Sequence, residues 1–188
     1  MHFGDAMSIE QQMESAVARY AKIAAPDLHT SSMRLREWTD QDIPTLVEAY
    51  SDPMIAQFSA LTLPFTSKEA KELVDSNSHC QLKLAVVNNH DKVMGLIGVH
   101  NIKSGKADVE GWTMPWARKS GVALKSLEML SRWSLDNLPI NRLDAFVQPE
   151  NIASQKVVEK AGFQRRNLIQ SAIDFQGELR DVIWFSLS

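Results

Sequence analysis

The sequence predicts a mixed α/β (α+β) domain, and three observations carry that prediction. Three strand-like runs, residues 81–87, 93–102 and 107–113, stand in succession. The hydrophobic period then changes from two to about 3.6 over residues 122–138, where Ala123, Leu127, Leu130 and Trp133 fall on one side of a helix. A strand (142–147), a helix opened by Asn151 and closed by Gly162, and two further strands (163–175 and 179–187) complete the order.

The remaining elements follow from local chemistry. Residues 33–38 alternate and read as an edge strand. Thr39 and Asp42 have capping-box spacing and open a helix running to Tyr50, although Pro44 stands near its first turn. Asp52-Pro53 breaks that helix. Thr66 and Glu69 form a second box, ahead of a helix burying Ala70, Leu73 and Val74. Asn88-Asn89-His90-Asp91 is the turn of a hairpin, and Gln176-Gly177-Glu178 joins the last two strands. Upstream, residues 8–25 place Ile9, Met13, Ala16, Val17 and Tyr20 at helical spacing. That stripe is too small to be a core alone and predicts docking on the main domain or on a second subunit, so a homodimer is among the expected assemblies. Pro26 and the polar residues 27–32 read as a linker. The expected organisation is therefore a helical extension and linker over 1–32 and a main domain over 33–188. Residues 1–7 read as a disordered start or a leftover ahead of a second candidate start at Met7.

Bulk properties bound the function. The chain has 188 residues, enough for one domain with a real core, and 44% apolar and 23% charged content is ordinary for a globular protein. A net charge of −3 argues against a general nucleic-acid binder. No apolar run reaches the ~18 residues of a membrane span, and no basic stretch leads into an apolar one at the start, so neither a membrane nor a secretory leader is expected. The single cysteine, Cys80, forbids an intramolecular disulfide and fits a cytoplasmic protein. His79 and His100 lack metal-ligand spacing, so no metal is expected. Cys80 is expected to be a packed side chain. Trp38, Trp133 and Trp184 read as core or as substrate wall.

Two segments carry chemistry. In the first, a strand ends at Trp112-Thr113-Met114, a turn follows, and a helix begins near Gly121. Free N–H groups at such a helix start, with the positive end of its dipole, make an anion site. Gly121 would admit a ligand to the backbone and Ala123 would leave the first turn open, although a glycine there is commonly structural. In the second, Asn151 and Ser154 share the first turn of one helix. Taken alone they read as an N-cap with a local hydroxyl bond.

Together the two segments resemble the GNAT superfamily of acetyltransferases. Arg118-Lys119-Ser120-Gly121-Val122-Ala123 is similar to its pyrophosphate loop. Asn151 through Phe163 resembles a segment of the branch that acetylates ribosomal-protein N-termini, and Arg34-Leu35-Arg36 and Trp112-x-x-Pro115 fit that branch too. Lys119 stands where the branch commonly has glycine. Glu110-Gly111 replace a small residue and an aromatic one, which implies an unusual acceptor side.

The resemblance implies a mostly antiparallel central sheet split beside the cofactor, with helices on both faces. It also implies acetyl-CoA as cosubstrate and a primary amine as acceptor. The acceptor would be a protein N-terminus or a small molecule; a non-catalytic acyl-CoA-binding module is the other class. Cofactor contacts fall by resemblance on Trp112, Thr113, Met114, Arg118, Lys119, Ser120, Gly121, Val122, Ala123, Asn151 and Ser154. Amide formation needs a neutral amine, so a carboxylate or water must accept its proton. Asp108 and Glu110, two apart on a strand, point to one face. Asp108 aligns with the branch's usual acid and is the favoured base; Glu110 would take that role only if a bulge turned it toward the splay, and Ser154 is the donor to the departing thiolate.

Overall fold

The computed structural model describes residues 22–59, 64–175 and 177–188. The chain enters through a two-residue strand, β1 (Leu28–His29), which pairs with β2 (Met33–Glu37). Three short helices follow: α1 (Ile43–Tyr50), α2 (Pro53–Phe58) and α3 (Ser67–Val74). Strands β3 (Leu82–Asn88), β4 (Val93–Lys103) and β5 (Gly105–Thr113) form a meander. Then come α4 (Val122–Asn137), β6 (Ile140–Val147), α5 (Ile152–Lys160), β7 (Gln164–Phe175) and β8 (Glu178–Leu187).

All eight strands join one sheet in the order β1-β2-β3-β4-β5-β6-β8-β7. Every neighbouring pair is antiparallel except β5 and β6, which are parallel because α4 carries the chain back across the sheet. The result is a mixed, mostly antiparallel sheet with helices on both faces, as the resemblance implies. The centre shows why helices must lie on both sides. In β4 every residue from Val93 to Val99 is buried, a pattern that a one-sided sheet cannot produce. Tyr50 of α1 meets Trp112 on one face, while α4 packs against β4, β5 and β6.

Both capping boxes form. Thr39 N–H and Oγ1 donate to Asp42 Oδ2 at 2.9 and 3.0 Å. This box opens a 3-10 turn, Asp40–Asp42, ahead of α1, and Pro44 falls within the first turn of α1, where a missing N–H costs nothing. Thr66 and Glu69 close the box of α3, which buries Ala70 and Leu73. The Asn88 side chain accepts N–H bonds from His90 and Lys92 and fixes the β3–β4 turn.

Three features differ from the sequence reading. Lys22–Ala25 is not helical, and the rest of the expected helix over 8–25 lies outside the described residues. Leu28–His29, read as linker, pairs with β2, so β2 is not the edge. Asp52-Pro53 does not merely end α1 but starts α2, because the Asp52 carboxylate accepts the Ile55 N–H at 3.1 Å and proline suits a first helical position.

Candidate active site

The parallel pairing of β5 with β6 is short. It runs from Gly105↔Ile140 to Asp108↔Asp144 and stops there. Beyond it β5 stays with β4 as far as Thr113↔Gly95, and β6 stays with β8 as far as Val147↔Ile183. The two strands therefore splay, and a wedge opens between residues 109–114 and 145–148. Met114 N–H donates to Met94 O at 2.8 Å. Antiparallel alternation then turns the Trp112 amide toward β4 as well and presents the backbone groups of Val109, Gly111 and Thr113 to the wedge. Of the three residues expected to lend backbone contacts, Thr113 is the one whose groups face the opening.

At the mouth of the wedge lies the loop from Arg118 to Ala123. Lys119 (φ 62°) and Gly121 (φ 83°) both adopt left-handed backbone. Ser120 Oγ donates to Ala117 O at 2.6 Å and closes the turn. The first helical bond of α4 is Lys125 N–H to Gly121 O. Among the described residues, the N–H groups of Lys119 through Leu124 donate to no protein acceptor. A side chain at Gly121 would meet only Lys125 Cε, at 3.9 Å, so the approach is open. This cluster of unsatisfied donors at the start of a sixteen-residue helix fits a pyrophosphate. Val122 is buried and anchors the helix start.

Arg118 is committed elsewhere: its Nη2 pairs with Asp52 Oδ1 at the cap of α2. Burial works to raise the Asp52 pKa, but the Arg118 hydrogen bond and the Ile55 N–H outweigh it and hold the carboxyl below its ordinary value.

The opposite flank is the start of α5. Asn151 Oδ1 accepts the Ser154 N–H at 3.1 Å, as an N-cap does. The Ser154 hydroxyl is half-buried and has no partner among the described residues. Asp108 and Glu110 share one face with no bulge between them, but their surroundings differ. Asp108 stands at the closed end, where β5 still pairs with β6, and accepts the Asn101 amide at 2.8 Å. Glu110 stands two residues into the wedge. Its Oε1 lies 3.1 Å from Lys83 Nζ in ion-pair contact but without hydrogen-bond geometry. Lys83 reaches it from β3 by passing over Gly98 of β4, where a Cβ would come within 3.2 Å of Lys83 Cγ.

Beside Glu110, Trp112 Nε1 donates to Tyr50 Oη at 3.0 Å. Burial pushes the Tyr50 phenol well above its ordinary pKa. Trp38 is core, 6.2 Å from Trp112 between ring centroids, and Trp133 is partly buried against the core. Trp184 donates to buried Asp144 at 2.8 Å. Cys80, expected to be packed, is exposed because it lies in the turn ahead of β3.

Sequence reasoning passed over Lys83, Tyr50, Asp52 and Gln148. Lys83 carried a usable signal, as a lone charge inside the apolar run Leu82–Val87. The others gather only through tertiary contacts. Among the described residues no cluster of His, Cys, Asp and Glu is placed to hold a metal, and no helix is long and apolar enough to cross a membrane.

Known proteins share this architecture. The uncharacterized N-acetyltransferase p20 of Bacillus licheniformis is 28% identical over 172 residues, 85% of this chain and 94% of that protein. The ribosomal-protein-S5-alanine acetyltransferase of Vibrio fischeri superposes with a TM-score of 0.74 at 18% identity, covering 87% of this chain and 96% of that one. The spermidine N-acetyltransferase of Vibrio cholerae, in complex with CoA and spermine, gives 0.73 at 17% identity, covering 84% and 96%. Residues 32–164 match the acetyltransferase (GNAT) domain family. With that match over most of its length, and with the split sheet and open donor loop in place, the chain belongs to the GNAT family of N-acetyltransferases.

Proposed function

We propose that this protein transfers the acetyl group of acetyl-CoA to a primary amine, and that its preferred acceptor is a protein N-terminal α-amine. The observation that carries the reading is the wedge between β5 and β6 with the unsatisfied donors of residues 119–124 at its mouth. Those N–H groups would hold the pyrophosphate, and the free backbone groups of Thr113 and Gly111 would bind the pantetheine amides along the wedge. Acetyl-CoA supplies the activated thioester; the protein supplies position and proton traffic. Glu110 is the proposed proton acceptor for the incoming ammonium, directly or through water, because it stands past the last β5–β6 pair and, with Oε1 buried against Lys83, its carboxylate accepts no hydrogen bond among the described residues. Ser154 is the proposed hydrogen-bond donor to the departing sulfur, since its hydroxyl has no competing partner among the described residues.

Lys83 bears on the acceptor. A fixed cation in ion-pair contact with the proposed base opposes a polycation such as a polyamine and tolerates a single amine. An α-amine, with a pKa of about 7.7–8.0 against about 10.4 for lysine, also needs less help to become neutral. The test is acetyl-CoA-dependent acetylation of a panel of N-terminal peptides, spermidine and amino-acid amides. Peptides should exceed spermidine in kcat/KM by about tenfold or more, one full decade of transition-state preference. Turnover confined to spermidine would overturn the acceptor reading, and absence of turnover with every amine would overturn catalysis.

A further inference from the structure

We infer that α2 is a tie across the mouth of the wedge, and that Arg118 and Arg180 are positioning residues holding its two ends over the acceptor. This rests on the acetyl-transfer reading, which places the acceptor beside Glu110.

The two anchors are independent. At the first end, Arg118 Nη2 pairs with Asp52 Oδ1, and Arg118 Nη1 lies 3.6 Å from Met54 Sδ. Asp52 also caps α2 through the Ile55 N–H, so one carboxylate joins the helix start to the loop after β5. At the far end, Gln57 O accepts Arg180 Nη1 at 3.3 Å. The same Nη1 donates to Gln148 Oε1 at 3.3 Å, and Gln148 is the buried residue directly after β6. Glu178 Oε2 steadies the guanidinium at 3.1 Å.

Because β5 and β6 are parallel, the segments that follow them leave at the same edge of the sheet. Arg118 belongs to the β5 side of the wedge, and Gln148 with Arg180 to the β6–β8 side. The tie therefore bridges the two arms. The dimensions agree. Five residue steps of helix, Asp52 to Gln57, span about 7.5 Å. Two strands separated by one absent strand lie about 10 Å apart. Two arginine side chains cover the remainder. Ile55 faces inward and is buried, while Met54 stays exposed beside Arg118.

This arrangement gives Arg118 a different task from a phosphate ligand. Its guanidinium already holds a carboxylate, and surrendering that pair to a phosphate would release the cap end of α2. The backbone donors of the loop can bind an anion without it.

The test uses Asp52→Asn, Arg118→Met, their double variant and Arg180→Met in the full chain. Asparagine keeps the helix cap and removes the charge, so the variant isolates the tie from the fold. Acceptor-peptide KM should rise about five-fold or more in each variant, with kcat changed less. The CoA Kd, from isothermal titration calorimetry, should stay within about two-fold, since the proposed anion donors are backbone N–H groups of residues 119–124, which none of these substitutions removes. The double variant should be no worse than the poorer single one, because both remove the same contact. Arg118→Lys should restore part of the KM. A tenfold loss of CoA affinity in Arg118→Met with an unchanged KM in Asp52→Asn would make Arg118 a cofactor ligand and overturn the inference. So would parallel changes in CoA Kd and acceptor KM, or a wild-type KM in Arg180→Met. Failure of the wild-type protein to acetylate any amine would instead strike the underlying reading.

Discussion

Glu110 and Asp108 sit two residues apart on one strand, with side chains on one face, yet the sheet treats them differently. Asp108 stands beside Asp144 at the last β5–β6 pair and is occupied by Asn101. Glu110 stands past that point, against Lys83. Glu110→Gln is therefore expected to lower turnover by about 10²-fold, the usual scale of a general base, with CoA affinity intact. Asp108→Asn is expected to change turnover by less than about three-fold, and Ser154→Ala by an intermediate factor, since water can replace a hydroxyl donor. Steady-state kcat with one acceptor peptide decides. A hundred-fold loss in Asp108→Asn with a normal Glu110→Gln would return the role to Asp108. The resemblance had favoured Asp108 by alignment. Strand alternation gave both carboxylates one face, but no local pattern marks where β6 leaves β5, because that break depends on residues as far apart in the sequence as Asp108 and Asp144.

Caps and turns were the most readable features, because their chemistry is local. Thr39, Thr66, Asn88 and Asn151 all bond within four residues of themselves. The short β1 and α2 escaped notice, since two and six residues carry too little periodicity to register. The caps also separate stability from function. Thr66→Ala should cost about 1 kcal/mol in urea unfolding, the usual loss of an N-cap, and leave turnover unchanged, since its hydrogen bonds stay within the first turn of α3. Asn151→Ala should lose a similar amount of stability and also slow turnover, because Asn151 Oδ1 holds the Ser154 amide. Equal turnover in the two variants would detach α5 from the chemistry.

Charge and ligand together set when the whole fold holds. Arg36 binds Asp42 at 2.7 and 3.0 Å and Asp91 at 2.9 Å, joining β2, the turn before α1 and the β3–β4 turn. Burial works to raise the Asp42 pKa, but the Arg36 hydrogen bonds win and lower it; at Asp91 the Arg36 bond leads, with the same result. A carboxylate depressed in the folded state contributes stability above its unfolded pKa and loses it as pH falls through the folded value. Thermal stability should therefore hold from neutral pH to about pH 5 and fall below about pH 4, and Arg36→Met should flatten that acid loss. CoA adds a second, separable contribution. At about 100 times its Kd it should supply about 2.7 kcal/mol. For a domain of this size that raises the melting temperature by about 5–10 °C. Gly121→Val should abolish the shift, because a β-branched residue is strained at φ 83° and its side chain would occupy the open approach to the loop donors. Arg36→Met should keep the full CoA shift at neutral pH, since Arg36 bonds Asp42, Asp91 and Glu37 O and none of the donors of residues 119–124. A CoA shift surviving in folded Gly121→Val would mean that the anion is bound somewhere other than the start of α4.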